Sequence, residues 1–188
     1  MSFQAMIAFW LKDMRLIHDF RVVEIAPGSN RWQAKVQVSK GGTEALLTDV
    51  GFGVSQVIPV ITLLQYVPEG STVILEQPEI HLHPLAQASL ADVIVETALQ
   101  RNLQVILESH SEHLLLRLQR RVAEQRMPAD KLKLYFCDFV RDKSRLTPLR
   151  LDPMGRIENW PRHFMGDAFG ETYAAEKARL RRENGSAE

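Results

Sequence analysis

An α/β fold, with a mostly parallel sheet flanked by helices and a preceding antiparallel piece, is what this sequence of 188 residues predicts. Two observations carry that expectation. From residue 54 onward, short apolar runs alternate with stretches of helical periodicity, the pattern of parallel strands joined by helical crossovers. Before that point two strand-like runs flank a turn-rich connector, Ala26-Pro27-Gly28-Ser29-Asn30, which reads as antiparallel. The composition, 45% apolar and 24% charged, is that of a soluble folded protein and excludes a disordered chain.

The elements follow in order. Phe3, Met6, Ile7, Trp10, Met14 and Ile17 recur at helical spacing and predict an amphipathic helix over residues 3–18. Phe20–Ile25 and Trp32–Val38 read as strands, and Lys40-Gly41-Gly42-Thr43 turns the chain into a short apolar run at Ala45–Leu47. A helix is expected over Ser55–Val67, beginning near Ser55 so that Pro59 falls in its first turn. Thr72–Leu75 reads as a buried strand, and Pro84 as the first position of a helix reaching about Gln100. Leu103–Leu107 is a second buried strand. Ser111, with Glu112 behind it, reads as the N-cap of a helix to Gln125 that carries Leu114, Leu115, Leu118 and Val122 on one face. Leu132–Phe136 is expected as a third strand, with Cys137 buried at its end. Leu146–Pro161 reads as a strand and turn, and Tyr173–Arg182 as a polar helix.

Charge narrows the function classes. Lys plus Arg and Asp plus Glu are equal at 23, so no net charge points to nucleic acid or an anionic membrane. The first 100 residues carry 6 basic and 10 acidic side chains, the remainder 17 and 13. Arg117, Arg120, Arg121 and Arg126, and further on Lys177, Arg179, Arg181 and Arg182, read as solvated helix faces. One cysteine excludes an internal disulfide framework. No apolar run approaches the roughly 20 residues that span a bilayer, and no basic segment precedes an apolar one at the start. A cytoplasmic protein without a membrane partner is expected.

Three segments carry chemistry. In Ser71-Thr72-Val73-Ile74-Leu75-Glu76-Gln77-Pro78-Glu79, a buried strand ends in a carboxylate, which places Glu76 at the ligand-binding edge of a parallel sheet. A charge there is commonly matched by hydrated Mg²⁺ beside a nucleotide phosphate. In Leu103-Gln104-Val105-Ile106-Leu107-Glu108-Ser109-His110, a second strand delivers a histidine just before a helix. One helix separates the two strands, as adjacency in a sheet requires. The third segment, Gly51-Phe52-Gly53-Val54-Ser55-Gln56, sets spaced glycines before a serine expected as a helix N-cap, where backbone N–H groups and the helix dipole favour an anion.

In this order, with His81-Leu82-His83-Pro84 between the two strands, the segments resemble the C-terminal half of bacterial predicted AAA/ABC-type ATPases of the SMC- and OLD-like class. The tail Asp152-Pro153-Met154-Gly155-Arg156-Ile157-Glu158-Asn159-Trp160-Pro161, then Gly166-Asp167, resembles the domain of unknown function appended in one subgroup. The resemblance runs from about Phe9 to Arg182 and implies the C-terminal lobe of an ABC-type P-loop NTPase over residues 1–145, with a small appended domain over 146–188. It implies ATP and Mg²⁺ as cofactors. Glu76 would hold the metal through water as the Walker B acid. His110 would be the switch histidine on the γ-phosphate. Gly53, Ser55 and Gln56 would form a signature face acting across a head-to-head homodimer, with His81 and His83 in the loop that couples the two sites. Gln77 stands where the family keeps a catalytic glutamate; an amide can orient water but cannot take its proton, and Glu79 is a substitute candidate.

A Walker A loop needs Gly-x-x-x-x-Gly-Lys-Ser/Thr, and none of the ten glycines here is followed by lysine. An N-terminal Walker A lobe is therefore the first expected partner, and the isolated chain is expected to be inactive. Nucleic acid or an effector protein is the second. Two other readings stay open at this stage. His81, His83, His110 and His113 with Glu79, Glu108 and Glu112 could form a metal-dependent hydrolase site. The chain could also be a non-catalytic interaction half-domain.

Overall fold

A computed structural model describes residues 1–161 together with Ala175 and Lys177. The expected helix over Tyr173–Arg182 lies outside the described residues, apart from those two helical positions. Helix α1 spans Phe3–Asp13, with the Ser2 hydroxyl accepting from the Ala5 N–H at 3.2 Å as its N-cap. It stops five residues short of expectation because Arg15 takes a left-handed conformation, φ 57°. Leu16 N–H then bonds Leu11 O and Arg15 N–H bonds Lys12 O, which satisfies the last carbonyls of the helix. Met14 and Ile17 still reach the core from beyond its end.

Strands β1 (Asp19–Glu24), β2 (Trp32–Gln37) and β3 (Glu44–Leu46) form the expected antiparallel sheet, in the order β1-β2-β3. Phe20 opposes Val36, and both are buried beneath α1. Helix α2 runs over Phe52–Tyr66, three residues earlier than expected, and Gly51 is its N-cap. Pro59 therefore sits inside the helix, where it supplies no N–H to the carbonyl one turn back.

Strand β4 (Thr72–Glu76) and strand β5 (Gln104–Glu108) pair in parallel, joined by helix α3 (Pro84–Gln100), and helix α4 (Glu112–Ala123) follows. Val73 and Leu75 face inward with Ile61, Leu64, Leu90 and Val93, which make the main core. A second cluster, Ala91, Val95, Leu114 and Leu118, holds α3 against α4. Helix α4 is strongly amphipathic, and Leu114, Leu115, Leu118 and Val122 are its buried side, as the spacing predicts.

The third expected strand is a correction. Strand β6 (Leu134–Val140) does not join β4 and β5; it pairs antiparallel with strand β7 (Lys143–Leu149) in a separate sheet. A two-residue turn, Arg141 and Asp142, both at positive φ, closes this hairpin with the twist that adjacent antiparallel strands need. The hairpin spans residue 145. Cys137 is exposed in mid-strand rather than buried at a strand end. Beyond β7, Leu151 pairs with Ile157 around a turn whose Gly155, φ 80°, lies so close to α4 that a Cβ would meet Gln119 O at 2.3 Å. Gln119 Nε2 donates to Gly155 O at 2.8 Å, so this turn is seated on the helix.

Candidate functional site

Because β4 and β5 run parallel and in register, their carboxyl ends set Glu76 and Glu108 side by side. Glu76 is exposed, and among the described residues no side chain bonds its carboxylate. Paired carboxylates with free oxygens suit a hard divalent cation held through water. Among the described residues no three His, Cys, Asp or Glu side chains converge as a ligand set. The two exposed carboxylates are hard oxygen donors of the kind that fit a hydrated Mg²⁺.

The loop after β4 is tightly folded. Gln77 and His81 both take left-handed conformations, φ 45° and 66°, which costs a side-chain-bearing residue on the order of 1–2 kcal/mol each. Gln77 bridges to β5 twice: its N–H donates to Glu108 O at 2.9 Å, and its Nε2 to Glu108 Oε1 at 3.2 Å. Glu79 turns inward and is only 5% exposed. Its Oε1 accepts from Ser109 Oγ at 2.6 Å and from His110 N–H at 3.0 Å, while its Oε2 has no hydrogen-bond partner among the described residues.

These bonds belong to a closed ring. Ser111 N–H donates to Ser109 Oγ at 3.0 Å, and Ser111 Oγ donates to Gln87 Oε1 at 2.6 Å. Gln87 Nε2 donates to Leu82 O at 2.9 Å, and Leu82 N–H returns to Glu79 O at 3.0 Å. Ser111 also caps α4, accepting from Leu114 N–H at 3.0 Å, as its sequence position predicts. The two loops that end the parallel strands are therefore one hydrogen-bonded unit, from which the exposed His110 projects.

The glycine segment meets this unit from the other side. A Cβ on Gly53 would sit 3.3 Å from Leu82 Cδ2 and 3.4 Å from His81 O, so a hydrogen there lets α2 close on the loop. The Phe52 and His81 rings meet edge to face at 5.7 Å. Ser55 is not the N-cap. It lies within the first turns of α2, and its hydroxyl donates to Phe52 O at 2.9 Å. Gln56 Oε1 is buried without a partner. His83 caps α3, its Nδ1 accepting from Leu85 N–H at 3.4 Å. Glu76, Gln77, Glu79 and His110 thus share one edge, Gly53 and His81 touch beside it, and Ser55 and His83 are engaged with their own helices. Sequence reasoning did not find the roles of Ser109, Gln87 and Glu108. Glu108 alone left a usable signal, as the strand-final acid in register with Glu76.

The arginines on and just after α4 are paired. Arg117 and Arg121 both pair with Asp92 on α3, Arg120 and Arg121 with Glu124, and Arg126 with Glu96. Hydrogen bonding to Asp92 holds the Arg121 guanidinium above its ordinary range. No helix among the described residues is long and apolar enough to cross a membrane.

The fold is that of an SMC ATPase head lobe. A chain from a study of ATP-driven dimerization and DNA-stimulated activation of SMC ATPases superposes with a TM-score of 0.61 at 14% identity, covering 79% of this chain and 84% of that one. An Smc head bound to the C-terminal winged-helix domain of ScpA gives 0.61 at 12% identity, over 80% of this chain and 43% of that one. The Smc head with an extended coiled coil from Pyrococcus furiosus, bound to the C-terminal domain of ScpA, gives 0.58 at 11%, over 79% and 34%. The chain thus spans less than half of those last two. The fold places the chain among ATPase-like modules. More specifically, residues 15–117, over half of the chain, match the family described as "AAA domain, putative AbiEii toxin, Type IV TA system", and the chain belongs to that family. Residues 127–174 match a second family, described as protein of unknown function DUF3696, which fits the appended tail. No curated protein matches the sequence.

Proposed function

We propose that this chain is the C-terminal lobe of an ABC/SMC-like ATPase head, active only when a lobe with a Gly-Lys-Ser/Thr loop and a second head join it. The observation that carries the reading is the common edge of β4 and β5, where Glu76, Gln77, Glu108 and His110 meet over a buried Glu79. When bound, Mg·ATP supplies the phosphoanhydride that is split. On this chain, Glu76 holds the hydrated cation, Gln77 orients water without taking its proton, and His110 hydrogen-bonds the terminal phosphate. The start of α2, which carries Gly53, Ser55 and Gln56, would meet the nucleotide of the second head, with His81 and His83 in the adjoining loop.

The need for a partner lobe is supported by the outer face of the parallel pair. Ile74 and Ile106 are in register there, 65% and 52% exposed, whereas parallel sheets are as a rule covered on both faces. The appended unit starts with β6 in this reading, since a boundary at 145 would divide β7. Its partner in the working cycle is nucleic acid or an effector protein.

The test is nucleotide turnover. The chain alone is expected to bind ATP weakly and to release no phosphate. Joined to a P-loop lobe it should hydrolyse ATP, with Glu76→Gln abolishing turnover. His110→Ala should lower turnover roughly 10²-fold at unchanged nucleotide affinity. Hydrolysis by the chain alone that Glu76→Gln removes would overturn the half-site reading. An assembled but inert complex would favour a non-catalytic interaction module.

A further inference from the structure

We infer that Glu79 is a positioning residue for His110, a clamp between the two strand-end loops rather than the acid–base group that replaces the missing glutamate. The inference rests on reading His110 as the phosphate-facing histidine. A base must reach the solvent-facing edge where water is activated. Glu79 is 5% exposed, and its Oε1 is taken by Ser109 Oγ at 2.6 Å and His110 N–H at 3.0 Å.

What Glu79 can do follows from what it holds. The Ser109–His110 segment is a short link between β5 and the N-cap of α4, and its conformation decides where the His110 imidazole points. Glu79 grips that link at two points. The ring through Ser111, Gln87 and Leu82 fixes Glu79 in turn, so the histidine is located by the loop after β4. Because Leu82 and His81 pack on Gly53, that loop is also the surface against which α2 starts. Oε2, buried and unbonded, marks the position as one where polarity is retained at a cost to packing.

Amide hydrogen exchange on the ¹⁵N-labelled chain tests the clamp without any nucleotide. Glu79→Met keeps approximate volume and removes the acceptor, so the His110 amide should exchange about tenfold faster or more. Glu79→Gln retains one acceptor oxygen and should return that rate to within about threefold of the parent. The Val93 amide, in the middle of α3, should not respond. Ser109→Ala, a smaller change, should also speed exchange at His110, and it decides the matter if the methionine variant does not fold. Parental exchange at His110 in both Glu79→Met and Ser109→Ala overturns the clamp, as does a glutamine variant as fast as the methionine one. In the assembly with a P-loop lobe, Glu79→Met should lower kcat at unchanged KM. A loosened amide with parental kcat would leave the clamp standing and remove the nucleotide role of His110.

Discussion

Two carboxylates are buried among the described residues, and they are held in opposite ways. Asp92, 6% exposed, lies on α3 between Arg117 and Arg121 of α4, and both of its oxygens are engaged by guanidinium groups. Glu79, equally buried, has no arginine or lysine partner among the described residues. A serine hydroxyl and a backbone N–H hold one oxygen, and the other is unbonded. Asp92 is saturated and joins two helices that also pack through Ala91, Val95, Leu114 and Leu118. Glu79 engages only neutral donors and joins the two loops that end the parallel strands. The first arrangement stabilises a fold, and the second specifies a site.

The comparison breaks most visibly at Asp92. Asp92→Ala leaves Arg117 without its acid and Arg121 with only Glu124, in positions 20% and 11% exposed. Removing one side of such a buried pair costs several kcal/mol, reduced here because arginine stems can redirect their heads toward water; about 2–4 kcal/mol is expected. In a chain of this size that lowers Tm by roughly 5–15 °C. Glu79→Met should cost less, at most about 2 kcal/mol, because only hydrogen bonds from neutral donors are lost and no buried charge is left without its partner. Thermal melts of the two variants side by side check this ordering. A Glu79→Met variant the less stable of the two would make Glu79 a structural acid like Asp92.

The same contrast explains what could be read in advance. The helix over Pro84–Gln100 was legible because proline suits a first helical position, and the strands at Glu76 and Glu108 because each is a short apolar run with a helix between. Ser111 was legible as a cap for the same local reason. What was hidden depends on partners remote in sequence. Nothing in Leu134–Val140 says that it pairs with Lys143–Leu149 rather than with β5, since either arrangement buries some apolar residues. That pairing also leaves Cys137 exposed. The early end of α1 turns on Arg15 entering the left-handed region, which a non-glycine residue rarely signals. The acid at position 79 was visible, but its inward turn follows from the left-handed Gln77 before it and from donors 30 residues away.

Gln77 provides a smaller and sharper break. Its amide donates to Glu108 Oε1, so Gln77→Glu replaces an attractive contact with two carboxylates facing each other at the sheet edge. Both groups reach solvent, and a loss of about 0.5–1 kcal/mol is expected, shrinking as salt screens the pair. Urea midpoints at low and high ionic strength measure it, and a midpoint unmoved by salt would show that the lost hydrogen bond, not repulsion, sets the cost. The substitution also restores a carboxylate next to Glu76. In the assembled ATPase it should raise turnover while lowering stability, the exchange expected at a site shaped for chemistry.

The smallest effect belongs to a carboxylate that is neither buried nor at the site. On the hairpin, Arg145 grips Asp138 with two bonds, 3.1 and 2.6 Å, from β7 to β6. The hydrogen bonds from Arg145 hold the Asp138 carboxyl below its ordinary value of 3.8. A carboxyl with a lowered value in the folded state binds protons more readily when unfolded, so its contribution is complete above about pH 4 and disappears as pH falls through the folded value. Asp138→Asn should therefore lose a little stability at pH 7 and show a flatter decline than the parent below about pH 4. Chemical denaturation at pH 7 and pH 3 separates the two, and identical declines would mean that the pair is too solvated to matter. Because both partners reach water, the pair measures how little an ion pair contributes once water can replace either partner, which is the environment that Asp92 and Glu79 both escape.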